Sequence, residues 1–217
     1  MPTILKEYKQ FLRTNFKELR LKKPLLYSWD FGLRFDLQID KNDTEEYFQE
    51  VTKRGSTIFR DVFNDSDNIF LVYMDYKYRR QKIRVSNFTF KQIKNLLHTE
   101  ITYSKRLRLY EAQDRFDVRN MAIIKLTTDR ISYKNILTAI ANNDFSSRKP
   151  RLDDNSIFTN KEVYFINIDT KLIFHMYDDR GLELIAADKE SLIPIYQKYN
   201  EWILNYDREK IETLFAQ

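Results

Sequence analysis

The sequence predicts an α+β fold, a mainly antiparallel sheet with helices packed on it. Three observations carry that expectation. Apolar residues recur at helical spacing near both ends of the chain and again after residue 43. Strict alternation of apolar and polar residues marks 32–39 as a strand with one buried face. Three short apolar runs, at 163–168, 172–177 and 182–187, are separated only by Asp169-Thr170-Lys171 and Asp178-Asp179-Arg180-Gly181, which is the pattern of a three-stranded meander.

In chain order, a first helix is expected over about 3–20, with Ile4, Leu5, Tyr8, Phe11, Leu12 and Leu19 on one stripe and Pro24 beyond its end. In the alternating strand, Leu33, Phe35, Leu37 and Ile39 interleave with Arg34, Asp36 and Gln38. Asp43 is placed to cap a long second helix over about 44–63, with Glu46 positioned for the reciprocal bond. Tyr47, Val51, Ile58 and Val62 mark its buried face. Gly55 lies on that face, where it either permits close backbone approach or costs about 1 kcal/mol relative to alanine.

The run Ile69-Phe70-Leu71-Val72-Tyr73-Met74 is apolar throughout, as in a central strand covered on both faces. Thr89 is placed to cap a short helix reaching Leu97. Strand-like stretches follow at 101–110 and 118–126, then a helix from Ser132 through Asn143 with Tyr133, Ile136, Leu137 and Ile140 inward. In the meander, Gly181 is expected to take a positive φ at the end of its loop. A C-terminal helix is expected over about 191–215, with Ile195, Tyr199, Trp202, Ile203 and Tyr206 at helical spacing and Trp202 in the core. Ser191 is its expected cap. A cap at Asp188 would place Pro194 inside the hydrogen-bonded ladder, at about 3 kcal/mol, whereas from Ser191 the proline falls in the first turn.

The chain reads as a single domain, 1–217, and its one boundary candidate is the polar loop at 145–156, interrupted by Pro150. No stretch approaches the roughly 18 consecutive apolar residues of a membrane span, and residues 1–23 lack the apolar region of a signal peptide. Cysteine is absent, which removes disulfides, zinc–thiolate sites and thiol catalysis and agrees with a bacterial cytoplasmic location. The net charge of +5 is polarised: residues 77–151 hold 18 Lys/Arg against six Asp/Glu, and the remainder 19 against 26. Such a basic middle can meet nucleic acid, an acidic protein, or the chain's own acidic segments.

The three glycines, Gly32, Gly55 and Gly181, are too scattered for a phosphate-cradling loop or a dinucleotide fingerprint, so no nucleotide cofactor is expected. Neither histidine, His98 or His175, belongs to a metal-ligand spacing, and no metal or other cofactor is expected. Two residue groups remain as candidate sites. The first is a basic, aromatic patch. In an extended strand Tyr76, Tyr78, Arg80, Lys82 and Arg84 share one face, and Lys105, Arg106 and Arg108 extend it, giving rings and charges of the kind single-strand binders use. The competing reading is an edge strand whose charges block edge-to-edge pairing. The second group is His175, Asp178, Asp179 and Arg180, a possible acid–base site. Asp75-Tyr76-Lys77 also has the acid-x-Lys spacing of restriction-type nucleases, with Asp36 as the second acid such a site needs.

A resemblance emerges from the C-terminal third. Phe174-His175-Met176-Tyr177-Asp178-Asp179-Arg180-Gly181, Pro194-Ile195-Tyr196, and the run from Tyr199 through Trp202-Ile203-Leu204 to Tyr206-Asp207-Arg208 resemble an uncharacterised bacterial family, a domain of unknown function found mainly in Firmicutes. Val163-Tyr164-Phe165-Ile166-Asn167, Asn142-Asn143-Asp144-Phe145 and Leu26-Tyr27-Ser28-Trp29-Asp30-Phe31-Gly32 fit it too. The resemblance implies one domain and brings no activity, cofactor or catalytic residue. The leading expectation is a non-catalytic cytoplasmic protein-binding module of the immunity or antitoxin kind, whose partner is an acidic protein such as a toxin, with no membrane partner. A nucleic-acid binder using the basic segment 76–108 and an enzyme with a site at His175/Asp178/Asp179/Arg180 are the alternatives.

Overall fold

The computed structural model describes residues 3–39, 44–76, 82–153 and 161–216. Seven strands make one sheet: β1 (Gly32–Asp36), β2 (Asn68–Tyr76), β3 (Ile101–Leu107), β4 (Val118–Thr127), β5 (Glu162–Asn167), β6 (Leu172–Met176) and β7 (Gly181–Ala186). Their order is β1-β7-β6-β5-β2-β4-β3, and every neighbouring pair is antiparallel. The meander predicted from three apolar runs is β5-β6-β7. The continuously apolar β2 lies between β4 and β5 with both faces covered, so its alternate side chains enter two different cores. Phe70, Val72 and Met74 face the first helix, α1 (Ile4–Phe16), while Ile69, Leu71 and Tyr73 face the opposite layer. That layer is built on α2 (Glu45–Val62) and α4 (Tyr133–Ala141). The expected α+β architecture is the one observed.

Helix boundaries differ from expectation for identifiable reasons. In α1, Thr3 caps the start, accepting a bond from the Lys6 amide. The helix stops at Phe16, not near residue 20, because Lys17 (φ 47°) and Glu18 (φ 62°) turn left-handed. Leu19 and Leu21 are then buried by the returning chain. The cap of α2 is Thr44, which has extended backbone and accepts from the Tyr47 amide at 3.2 Å; Asp43, expected in that role, lies outside the described residues. Asn87, not Thr89, caps the short α3 (Phe88–Lys91), and Thr89 is buried inside its turn.

Gly55 is not a point of forced approach. A Cβ there would lie 3.5 Å from Met176 Sδ and 3.8 Å from Leu137 Cδ1, ordinary contact distances. Gly55→Ala is therefore expected to stabilise the protein by about 0.5–1 kcal/mol, by filling the helix interior and restricting the unfolded chain. A urea-denaturation midpoint that falls in this variant would refute the assignment.

Gly181 does not have a positive φ, and no other glycine does; the left-handed residue of the meander is Lys171 (φ 55°), in the first turn. Gly181 is instead the first residue of β7, where nearby atoms leave no room for a Cβ.

The expected C-terminal helix is broken into pieces. Ser191, expected as the helix cap, lies instead inside a 3-10 turn, Glu190–Leu192, and its amide donates to the Asp188 carboxylate at 2.9 Å. That turn lets Pro194 fall at the start of α5 (Ile193–Lys198), where its missing amide costs no helical bond. The chain then leaves the helix to cover the edge of β1, with a bridge between Phe35 and Ile203 and a bond from the Leu204 amide to Arg34 O at 2.9 Å. The Arg208 guanidinium, at the start of α6 (Arg208–Phe215), donates to Asn200 O and Ile203 O and so ties the broken segment together. This change of path redistributes the predicted stripe. Ile195, Tyr199 and Ile203 are buried, Trp202 is half-buried and stacked on Tyr199, and Tyr206 is 84% exposed.

The polar loop after α4 is tied to the body as far as it is described. Phe145 packs edge-on against Phe48, Arg148 lies 3.8 Å from the Phe48 ring centre, and Leu152 joins the core. No helix among the described residues is long and apolar enough to cross a membrane.

Candidate functional site

The face of α1 opposite its apolar stripe carries Lys6, Lys9 and Arg13, at spacings of three and four residues that align them along one side. The helix is fixed on the sheet by Tyr8 and Phe11, which meet Phe70 edge-on at 5.6 and 6.0 Å, and by the Lys125–Glu7 ion pair at 2.7 Å. After the left-handed turn, Arg20 reaches the end of β3 and donates to Leu107 O at 2.9 Å and Arg108 O at 3.1 Å. These contacts set α1 beside β3 and leave a groove of about 820 Å³ between them.

Lys6, Lys9, Arg13, Arg20, Lys105 and Arg106 line the groove, and among the described residues Glu18 is the one acid in its lining. Among the described residues, none of Lys6, Lys9, Lys105 and Arg106 is in an ion pair. Apolar ground between the charges comes from Leu5, Leu12, Leu19 and Leu107, of which Leu107 is 62% exposed. Tyr8, on the sheet-facing side of α1, is buried, and burial pushes its hydroxyl up to about 12. Among the described residues the far edge of the sheet is also open here: β3 pairs only with β4, whereas β1 at the other end is covered by Ile203 and Leu204. Tyr103, Lys105 and Leu107 alternate outward along that open strand, all exposed.

The sequence-predicted patch is divided by this geometry. Lys105 and Arg106 belong to the groove. Arg108 follows β3 as an exposed residue with φ 52°. Tyr76 ends β2 half-buried, its ring under the Arg119 guanidinium at 5.1 Å, and Tyr78 and Arg80 lie outside the described residues. Lys82 and Arg84 are exposed in a segment without regular structure, beside a separate cavity. Of the face expected for 76–84, the described residues thus show Tyr76 in β2 and Lys82 and Arg84 outside any strand. Missing from the sequence reading were the α1 cations. Their spacing was visible, but their meeting with Lys105 and Arg106 depends on the sheet order.

The second candidate group is also separated. His175 is buried in β6 on the α1 side, its ring stacked on Tyr164 at 4.0 Å and Nδ1 at 2.9 Å from Val163 O. Asp179 turns to the opposite side and accepts from the Tyr47 hydroxyl at 2.7 Å. Asp178 is occupied by the Arg180 amide at 2.8 Å and by the Arg180 guanidinium. A third acid, Asp144, joins these two with carboxylate oxygens within 4.8 Å, a neighbour that sequence distance concealed. Burial pushes Asp179 up from the ordinary carboxylate range. Asp36 and Asp75, the acids of the nuclease reading, stand on β1 and β2 with three strands between them.

Burial lowers the His175 pKa to about 3. The folded state thus resists a proton that the unfolded chain accepts near 6.5. The neutral ring's contribution is complete above about pH 6.5 and is lost as pH falls toward about 3. Replacing His175 with Gln is expected to flatten the decline of melting temperature between pH 6.5 and 4. An unchanged pH profile would show that another group governs that range.

With the fold and groove described, the class follows. A family model for a domain of unknown function, DUF3885, matches residues 8–207, and the chain belongs to that family. It is similar to the uncharacterized protein YnaE of Bacillus subtilis (strain 168), with 30% identity over 210 residues, covering 90% of this chain and 96% of the relative. The family resemblance read from the C-terminal motifs is thereby established. No solved structure matches the chain.

Proposed function

We propose that this protein is a non-catalytic cytoplasmic binding module whose partner is a protein presenting an acidic segment to the groove between α1 and β3. The observation that carries the reading is the groove itself: among the described residues, six cations against one acid, interspersed with leucines, beside an unpaired strand edge. Its charges favour an anionic partner and act mostly on encounter rate. Its lining favours protein over single-stranded nucleic acid, because among the described residues leucines and no aromatic ring line it, and base stacking needs rings. The open strand adds backbone donors and acceptors that an extended partner segment can use. An immunity or antitoxin-like role fits this reading, with a toxin as the acidic partner.

The test compares a Glu-rich peptide carrying interspersed leucines with a single-stranded oligonucleotide of equal charge. The peptide is expected to bind more tightly. Joint replacement of Lys9, Arg13 and Lys105 by Gln is expected to weaken it by about tenfold or more at low salt. Tighter binding of the oligonucleotide, with a salt slope reduced in the variant, would replace this reading with the nucleic-acid one.

A further inference from the structure

Lys82 and Arg84 open onto a second cavity, about 330 Å³ in volume, at the end of β2. We infer that this cavity binds a small hydroxylated phosphate monoester, of sugar-phosphate class, through a cationic wall of Lys82, Arg84 and Lys91 set against an acidic floor containing Asp75. The site is separate from the α1–β3 groove and has no lining residue in common with it.

The floor is set by strand pairing. Tyr73 and Asp75 point to the same side of β2, and Asp75 is only 9% exposed directly after the apolar run Ile69–Met74. Met74 lies opposite Glu162 in β5, which brings the preceding residue, Lys161, into the cavity. Its ammonium is 4.0 Å from Asp75 and also pairs with Asp153. With an ammonium already between the two carboxylates, the floor suits hydrogen bonding to hydroxyls better than holding a metal ion. A charge as buried as Asp75 costs desolvation, and burial raises its pKa. Retaining such a charge at a cavity wall, when an apolar residue would pack without that cost, is a feature of ligand sites.

The opposite wall supplies what the floor lacks. Lys82, Arg84 and Lys91 are exposed and, among the described residues, in no ion pair. Asn87 is already committed, accepting from the Phe90 amide at 3.0 Å and donating to Arg84 O at 2.6 Å, which fixes the backbone that carries Arg84. Three cations converging on one volume provide the charge-assisted bonds that a dianionic phosphate takes. The Asp75 carboxylate across the cavity accepts from hydroxyls, and Phe88 adds an apolar side. The volume lies at the small end of ligand pockets, enough for one molecule of this class.

Calorimetric titration with ribose 5-phosphate, ribose and inorganic phosphate tests the inference. Ribose 5-phosphate is expected to bind about tenfold or more tightly than phosphate, and ribose not measurably. Arg84→Gln with Lys91→Gln, both exposed positions, is expected to weaken the sugar phosphate by about tenfold or more, while Lys9→Gln with Lys105→Gln in the groove leaves it unchanged. Asp75→Asn is expected to narrow the gap between ribose 5-phosphate and phosphate; if that variant does not fold, the Arg84/Lys91 pair alone decides. Equal binding of phosphate and ribose 5-phosphate, or binding indifferent to the Arg84/Lys91 pair, would overturn the assignment.

Discussion

Phe59→Ala is expected to destabilise the fold by about 3–5 kcal/mol, with a fall in melting temperature of roughly 6–20 °C. Phe59 is fully buried where α2, α4, β5 and β6 meet. Its ring stacks on Phe63 at 4.2 Å and on Tyr133 at 4.1 Å, and meets Phe165 and Phe174 edge-on at 5.1 and 5.4 Å. Truncation removes the transfer energy of the ring and leaves a cavity whose walls are rigid rings that cannot collapse inward. Phe59→Leu retains most of the volume and is expected to cost clearly less. Equal losses for the two variants, measured by chemical denaturation, would contradict the packing described.

Gly181→Ala carries the second large effect, about 2–3 kcal/mol. A Cβ at this position would lie 2.1 Å from the Tyr177 hydroxyl and 2.7 Å from Phe35 O. The tyrosine can rotate away. The carbonyl cannot, because it belongs to β1, whose Asp36 is directly opposite Gly181 in the ladder. Rescue by Tyr177→Phe should therefore be partial only. Full recovery of the melting temperature in the double variant would mean that the strand backbone tolerates the methyl group.

Gly181 also indicates where the sequence is readable and where it is not. A glycine after Asp-Asp-Arg suggests a left-handed turn residue, because that is the commonest local reason for glycine. The actual reason is a close approach by β1, a strand almost 150 residues earlier in the chain, and nothing local encodes it. The same division recurs elsewhere. The periodicity of α2 and the meander depends on neighbours in sequence and was legible. The break in the C-terminal helix was not, because Ile203 leaves the helix to pair with Phe35. In the groove, the stripe of Lys6, Lys9 and Arg13 and the alternation around Lys105 were each visible. Their convergence follows from β3 taking the outer position of the sheet, with α1 packed beside it. Charge counting along the chain placed the basic surface in the middle segment and missed the helix that forms half of it.

Amide hydrogen exchange, compared with and without the Glu-rich peptide, shows where the partner segment docks. Added protection is expected in α1 and β3, the latter because a docked segment covers the open strand edge. That protection should disappear in the Lys9, Arg13 and Lys105 variant. Protection confined to 82–91, or spread evenly over the surface, would contradict the groove as the place where the partner binds.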